Sequence, residues 1–191
     1  MAIHGKAGNS GGGDFEPCPT GPQRLICCDV VDMGVVDASW QGQIQRKHKI
    51  QIRWQSEHLT KDGKPCLLIK RYNLSMHEKS TLRKDLQAWR GKPFASDAEA
   101  EAFDIEKVIG VSGIGNVSHN RKGDQVYANL DSLMPLMKGM ERLIVRDYER
   151  VCDRPGYVAP VAPEPEDDFD QRRGDVQDFN DITPDESDIG F

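Results

Sequence analysis

From Lys47 to Gln55 apolar and polar positions alternate without a break, with His48, Ile50, Ile52 and Trp54 on one side and Lys49, Gln51, Arg53 and Gln55 on the other. A period of two marks a half-buried β-strand. Upstream, Arg24 to Met33 is short, apolar and rich in β-branched residues, which predicts a strand that runs past Gly34 through Val35 and Val36. Trp40 to Gln43 reads as the turn between the two. Asp62 and Gly63 supply a second turn, and Cys66 to Leu74 a third strand. The period then changes. Ser75 and Glu78 fit a capping box, Leu82, Leu86 and Trp89 share one helical face, and Gly91 and Pro93 end the helix. Ser96 and Glu99 repeat the capping signal and predict a second short helix to Lys107. Val108 to His119 returns to strand, Asn120 to Asp124 is a polar turn, and Gln125 to Leu130 is a last strand. Met134 to Arg150 is expected to close the body, as a strand and turn or as a helix.

Three meandering strands, a helical insertion and two further strands define a mainly β protein. A purely parallel sheet does not fit, because it needs a crossover between most strands. A five-stranded barrel does fit, since closure removes the exposed edges of a small sheet. The oligonucleotide-binding fold (OB-fold) places its helix between the third and fourth strands, where this chain changes period. The organisation expected is a flexible glycine-rich arm over 1–21, one barrel domain over 22–150, and a disordered acidic tail over 151–191.

Charge sharpens the division. Residues 156–191 hold eleven of the chain's 31 carboxylates and two of its 25 cations, which leaves a body with 23 basic and 20 acidic residues. A like-charged block without apolar periodicity does not offset the entropy of folding and serves as a solvated interaction tail. A mildly basic body beside it points to a polyanionic partner. No apolar run approaches the roughly 18 residues of a membrane span, and the basic-then-apolar layout of a signal peptide is missing, so a soluble, cytoplasmic protein is expected. The five cysteines, Cys18, Cys27, Cys28, Cys66 and Cys152, include no C-x-x-C pair and read as free thiols.

Signatures of catalysis do not assemble. The glycines from Gly5 to Gly13 lack the Gly-Lys-Ser/Thr ending of a phosphate-binding loop. Gly110, Gly113 and Gly115 are irregularly spaced inside a predicted strand and read as close backbone packing or a bulge. The five histidines are scattered without metal-ligand spacing, so neither a metal nor a cofactor is expected. Basic and aromatic residues are interleaved instead. Lys47, Lys49 and Arg53 lie on the second strand, Lys70, Arg71 and Tyr72 on the third, and Arg121, Lys122 and Tyr127 around the last turn, with Trp40 in the first turn. Single strands of nucleic acid are held by cations along the phosphates and by rings that stack on bases, at about 1–3 kcal/mol per stacked base. Trp54 and Trp89 fall on apolar faces and are expected in the core. The charges of the first helix, Arg83 and Lys84, are expected on a solvated face.

The basic barrel, the Pro/Asp/Glu-rich linker and the terminal Asp188, Ile189 and Phe191 resemble the single-stranded DNA-binding proteins. Bacterial members end in Asp-Asp-x-Pro-Phe; here Gly190 takes the place of the proline. The segments from Leu82 to Gly91 and from Tyr127 to Leu130 look more like the shorter versions that bacteriophages encode. The resemblance implies a non-enzymatic coat for exposed single strands during replication, recombination or repair, in the host cytoplasm. It also implies that Asp185, Glu186, Asp188, Ile189 and Phe191 dock partner enzymes of those processes. Self-association of the chain is left open. Two other readings stay open: an adaptor or inhibitor whose tail mimics DNA, and a nuclease built on Asp29, Asp32 and Asp37.

Overall fold

A computed structural model describes residues 16–40, 43–123 and 125–160. Five strands follow the alternation of the sequence: β1 (Gly21–Trp40), β2 (Gln43–Leu59), β3 (Pro65–Asn73), β4 (Ser112–Lys122) and β5 (Gln125–Pro135). They form one antiparallel sheet in the order β3-β2-β1-β4-β5, with α1 (Thr81–Arg90) and α2 (Asp97–Glu101) inserted between β3 and β4. The expected barrel is not closed, because β3 and β5 end the sheet without a ladder between them. The two edges do approach each other, and α1 packs against both. A helix therefore covers the apolar side of the gap that a ladder would otherwise seal.

β2 sets the two faces of the sheet. Ile50, Ile52 and Trp54 are buried, and their register partners Tyr72 and Leu68 on β3 join them in the core. β1 contributes Leu25 and Cys27, and α1 contributes Leu82, Leu86 and Trp89. Trp54 and Trp89 meet edge to face, with ring centroids 6.3 Å apart. Gly113 and Gly115 are the close approaches their spacing predicts. A Cβ at Gly113 would lie 2.6 Å from the Trp89 ring and 2.7 Å from the Met134 carbonyl oxygen, and one at Gly115 would lie 2.4 Å from Leu25.

α1 starts five residues later than the Ser75 signal predicts. Ser80 is the N-cap and accepts from the Arg83 N–H at 3.2 Å, while the Ser80 hydroxyl donates to the Ser75 carbonyl at 2.7 Å. Ser75 is thereby part of the turn that delivers the chain to the helix. Gly91, at φ 69°, ends it as expected. Arg83 is not on a solvated face: it is buried and binds the Met76 carbonyl at 3.0 Å and Asp97 at 2.6 Å. The second predicted helix divides into α2 and a 3-10 turn, Ile105–Val108, so β4 starts at Ser112 rather than Val108.

Both ends of the body carry more ordered packing than the sequence predicts. Cys18 is buried and donates to Gln23 at 3.2 Å, within the stretch expected to be a flexible arm. After β5 the chain takes no regular structure until a 3-10 turn at Val151–Asp153, and further on Pro160 packs on Gly34 of β1.

Candidate nucleic-acid interface

The ladders leave two hairpin arms. β3 pairs with β2 only between Lys49 and Leu59, so the stretch of β2 from Gln43 to His48 pairs with β1 alone. Likewise β1 pairs with β4 only as far as Val117, so Ser118–Lys122 and Gln125–Asn129 form a second two-stranded arm. Because β4 runs antiparallel to β1, the first arm extends the end of β1 and the second projects beyond its start.

Register sorts the predicted contacts. Lys49, Gln51 and Arg53 pair with Asn73, Arg71 and Ile69, so all six share the outer face, and alternation places Lys47 with them. Lys70 and Tyr72 pair with Ile52 and Ile50 and belong to the inner face instead. Lys70 forms an ion pair with Asp85 of α1 at 2.7 Å, and the Tyr72 hydroxyl donates to the same carboxylate at 2.8 Å. Burial, reinforced by that carboxylate, pushes the Tyr72 phenol above its usual range. These two residues fasten the helix to the sheet, which corrects their place among the candidate DNA contacts and fixes the side of β3 that the sequence left ambiguous: a ring only 4% exposed has no surface for a base.

On the second arm Arg121 and Lys122 are exposed, and Tyr127 is 44% exposed with its hydroxyl bonded to Gln125. Lys122 opposes Gln125 and Asn120 opposes Tyr127, so Lys122 and Tyr127 share a face while Arg121 points from the other. Lys47, Lys49, Arg71, Arg121 and Lys122 make no ion pair among the described residues. The side chain of Trp40 and the tip residues Asp185, Glu186, Asp188, Ile189 and Phe191 lie outside the described residues.

Arg53 differs from its neighbours. Its guanidinium donates to Gln51 at 2.8 and 2.6 Å and to the Tyr148 hydroxyl at 3.2 Å. Tyr148 belongs to an irregular strap, residues 141–151, that crosses the outer face of β1 and β2. Gln55 holds the strap through both main-chain groups of Arg146, at 2.6 and 2.9 Å. Ser112 accepts from the Leu143 N–H at 3.1 Å. The anchor is Asp29, wholly buried behind a bulge in β1, whose carboxylate accepts from the Tyr148 hydroxyl at 2.9 Å, the Val151 N–H at 2.9 Å and the Arg150 Nε at 3.3 Å. Burial and the Asp29 carboxylate push the Tyr148 phenol up to about 12, against the opposing pull of Arg53. Arg150 also pairs with Glu106.

The strap is what sequence reasoning missed. The signal in the sequence was a short apolar run, Leu143, Ile144 and Val145, between Arg142 and Arg146, but nothing local says which surface it covers. Of the three aspartates considered for a nuclease, Asp29 is enclosed by the strap. Asp32 accepts from the Gly34 N–H at 2.7 Å and meets His48 at 2.6 Å, and Asp37 stands opposite Arg46 on the first arm. Among the described residues no three His, Cys, Asp or Glu side chains are grouped to hold a metal ion, and no helix is long and apolar enough to cross a membrane. Compared with known proteins, the chain matches no family model and no curated sequence.

Proposed function

We propose that the chain binds single-stranded DNA without regard to sequence and without catalysis, as a coat for strands exposed in replication, recombination or repair. The observation that carries this reading is a set of cations that make no ion pair among the described residues, Lys47, Lys49 and Arg71 on the outer face and Arg121 and Lys122 on the second arm. Cations not committed to internal ion pairs are free to displace counterions from phosphates, and that release supplies most of the affinity in sequence-tolerant binding. Tyr127, half exposed beside Lys122, offers a ring for stacking, worth about 1–3 kcal/mol per base.

The strand order adds support. β3-β2-β1-β4-β5, with a helix between β3 and β4 packed on both edges, is compatible with a partly open OB-fold whose seam lies between β3 and β5. In that fold the β2–β3 surface and the loops joining β1 to β2 and β4 to β5 make the contacts. The free cations of this chain lie on those same elements. The acidic tail, with the apolar Ile189 and Phe191 among its carboxylates, serves as the docking peptide for partner proteins.

The test is anisotropy of labelled oligothymidine with the full chain and two variants, Lys47→Ala/Lys49→Ala/Arg71→Ala and Arg121→Ala/Lys122→Ala. Each should weaken binding by roughly tenfold or more at moderate salt, as loss of two or three phosphate contacts requires. Variants that bind as tightly as the parent would contradict the assignment. An adaptor or inhibitor would bind no oligothymidine at all.

A further inference from the structure

The strap does more than cover the sheet. Arg142, Ile144 and Arg146 are exposed along it, while the intervening Leu143 and Val145 are half-buried. The inward positions and the Arg146 main chain carry the fastening, so the outward side chains are not needed for it. Between strap and sheet a cavity of about 250 Å³ opens at the end of β2 where it turns into β3. Its floor is Ile26, and its walls include Leu59, Ile144, Arg142 and Arg146. Leu59 is 52% exposed and Ile144 79% exposed, so both present apolar surface at the mouth of the groove.

Charge narrows the occupant. Arg24 and Glu57 also line the cavity but satisfy each other, through the Arg24 N–H at 2.8 Å and the guanidinium at 2.9 Å. Glu141 contributes one negative charge against Arg142 and Arg146, and neither of those guanidinium groups has a partner among the described residues. The volume falls just below the roughly 300–1,000 Å³ of drug-sized sites, which suits a single base with its sugar. Two exposed aliphatic side chains offer apolar surface to a base, and two fork-shaped cations beside them offer donors to its neighbouring phosphates.

We infer that the groove between the strap and the end of β2 is a nucleotide subsite, in which a base of single-stranded DNA lies between Leu59 and Ile144 and adjacent phosphates meet Arg142 and Arg146. This rests on the single-strand reading above and places the subsite on the outer face at the opposite end of β2 from Lys47 and Lys49. It also gives the strap a role that a structural fastening alone does not need.

The full chain and its Arg142→Ala/Arg146→Ala variant are compared by oligothymidine binding over a range of salt. Both side chains are exposed and unpaired among the described residues, so the melting temperature should not move. Affinity should fall roughly tenfold, and the plot of log affinity against log salt should become shallower by about 1.4, the loss of two single-strand phosphate contacts. Ile144→Trp supplies an independent readout: its added emission should be quenched when oligothymidine saturates the protein. A parent that binds steeply beside a variant with the same affinity and slope overturns the subsite and leaves the single-strand reading standing. A parent that binds nothing removes both. An Ile144→Trp signal that DNA does not change also counts against the groove.

Discussion

Replacing Asp29 by alanine tests whether the strap is held as the geometry says. The carboxylate is wholly buried and accepts three hydrogen bonds, two of them from strap side chains and one from the strap backbone. After the change Arg150 keeps Glu106, and the Tyr148 hydroxyl keeps the donated bond from Arg53. The Val151 N–H loses its acceptor. Hydrogen bonds to a charged group contribute about 1.5–3 kcal/mol each, and breaking a buried ion pair on one side costs about 3–5 kcal/mol. The Arg150 side chain is 30% exposed, so its share is discounted for solvent, and the two remaining bonds set the expected total at about 3–6 kcal/mol. Urea unfolding followed by circular dichroism should show the midpoint falling with little change in slope. Trypsin in native buffer should cut after Arg146, Arg150 or Arg154 much faster than in the parent. A loss below about 1 kcal/mol with unchanged cleavage would refute the anchoring role of Asp29.

Gly113→Ala should destabilise the body by about 1–3 kcal/mol, because the new Cβ meets a backbone carbonyl as well as the Trp89 ring; an unchanged melting temperature would contradict that packing. Of the five thiols, only the exposed Cys152 should react quickly with a disulfide reagent at pH 8, and the other four only after unfolding. Burial pushes Cys18 and Cys28 up to about 12 and Cys27 higher still, so a second fast thiol would argue against the described core. Although partial burial opposes it, the Arg24 N–H and guanidinium hold the Glu57 carboxyl below 4.5. A lowered folded value stabilises above the unfolded one and is lost as pH falls through the folded one. Glu57→Gln should therefore cost up to about 1 kcal/mol at neutral pH and nothing in strong acid, and a deficit that persists at pH 2 would contradict the pairing.

The strands were legible because their core residues alternate locally: Ile50, Ile52 and Trp54 announce β2 without help from the rest of the chain. The inner placement of Lys70 and Tyr72 was not legible. Period two puts both on one face with Leu68, but only the pairing of Leu68 with Trp54 and Tyr72 with Ile50 says that this face is the inner one. The neighbouring Ile69 is 45% exposed, so hydrophobicity alone misleads along β3. The start of α1 was obscured because Ser75 and Ser80 both carry cap chemistry, and the choice depends on how the chain leaves β3. The open sheet was hidden for a related reason: strand order reads from sequence, but the α1 packing that takes the place of a closing ladder does not. The strap was least legible of all. Its fastening joins Tyr148 and Val151 to Asp29 across 119 and 122 residues, through polar contacts that leave no periodic trace.

The salt dependence of oligothymidine binding by the full chain tests the central claim most directly. Five cations on the outer face and second arm that have no ion pair among the described residues, with Arg142 and Arg146 on the strap, predict a plot of log affinity against log salt with a slope of about −3.5 to −5. A slope near zero, or no binding in dilute salt, would contradict a single-stranded DNA interface on this sheet.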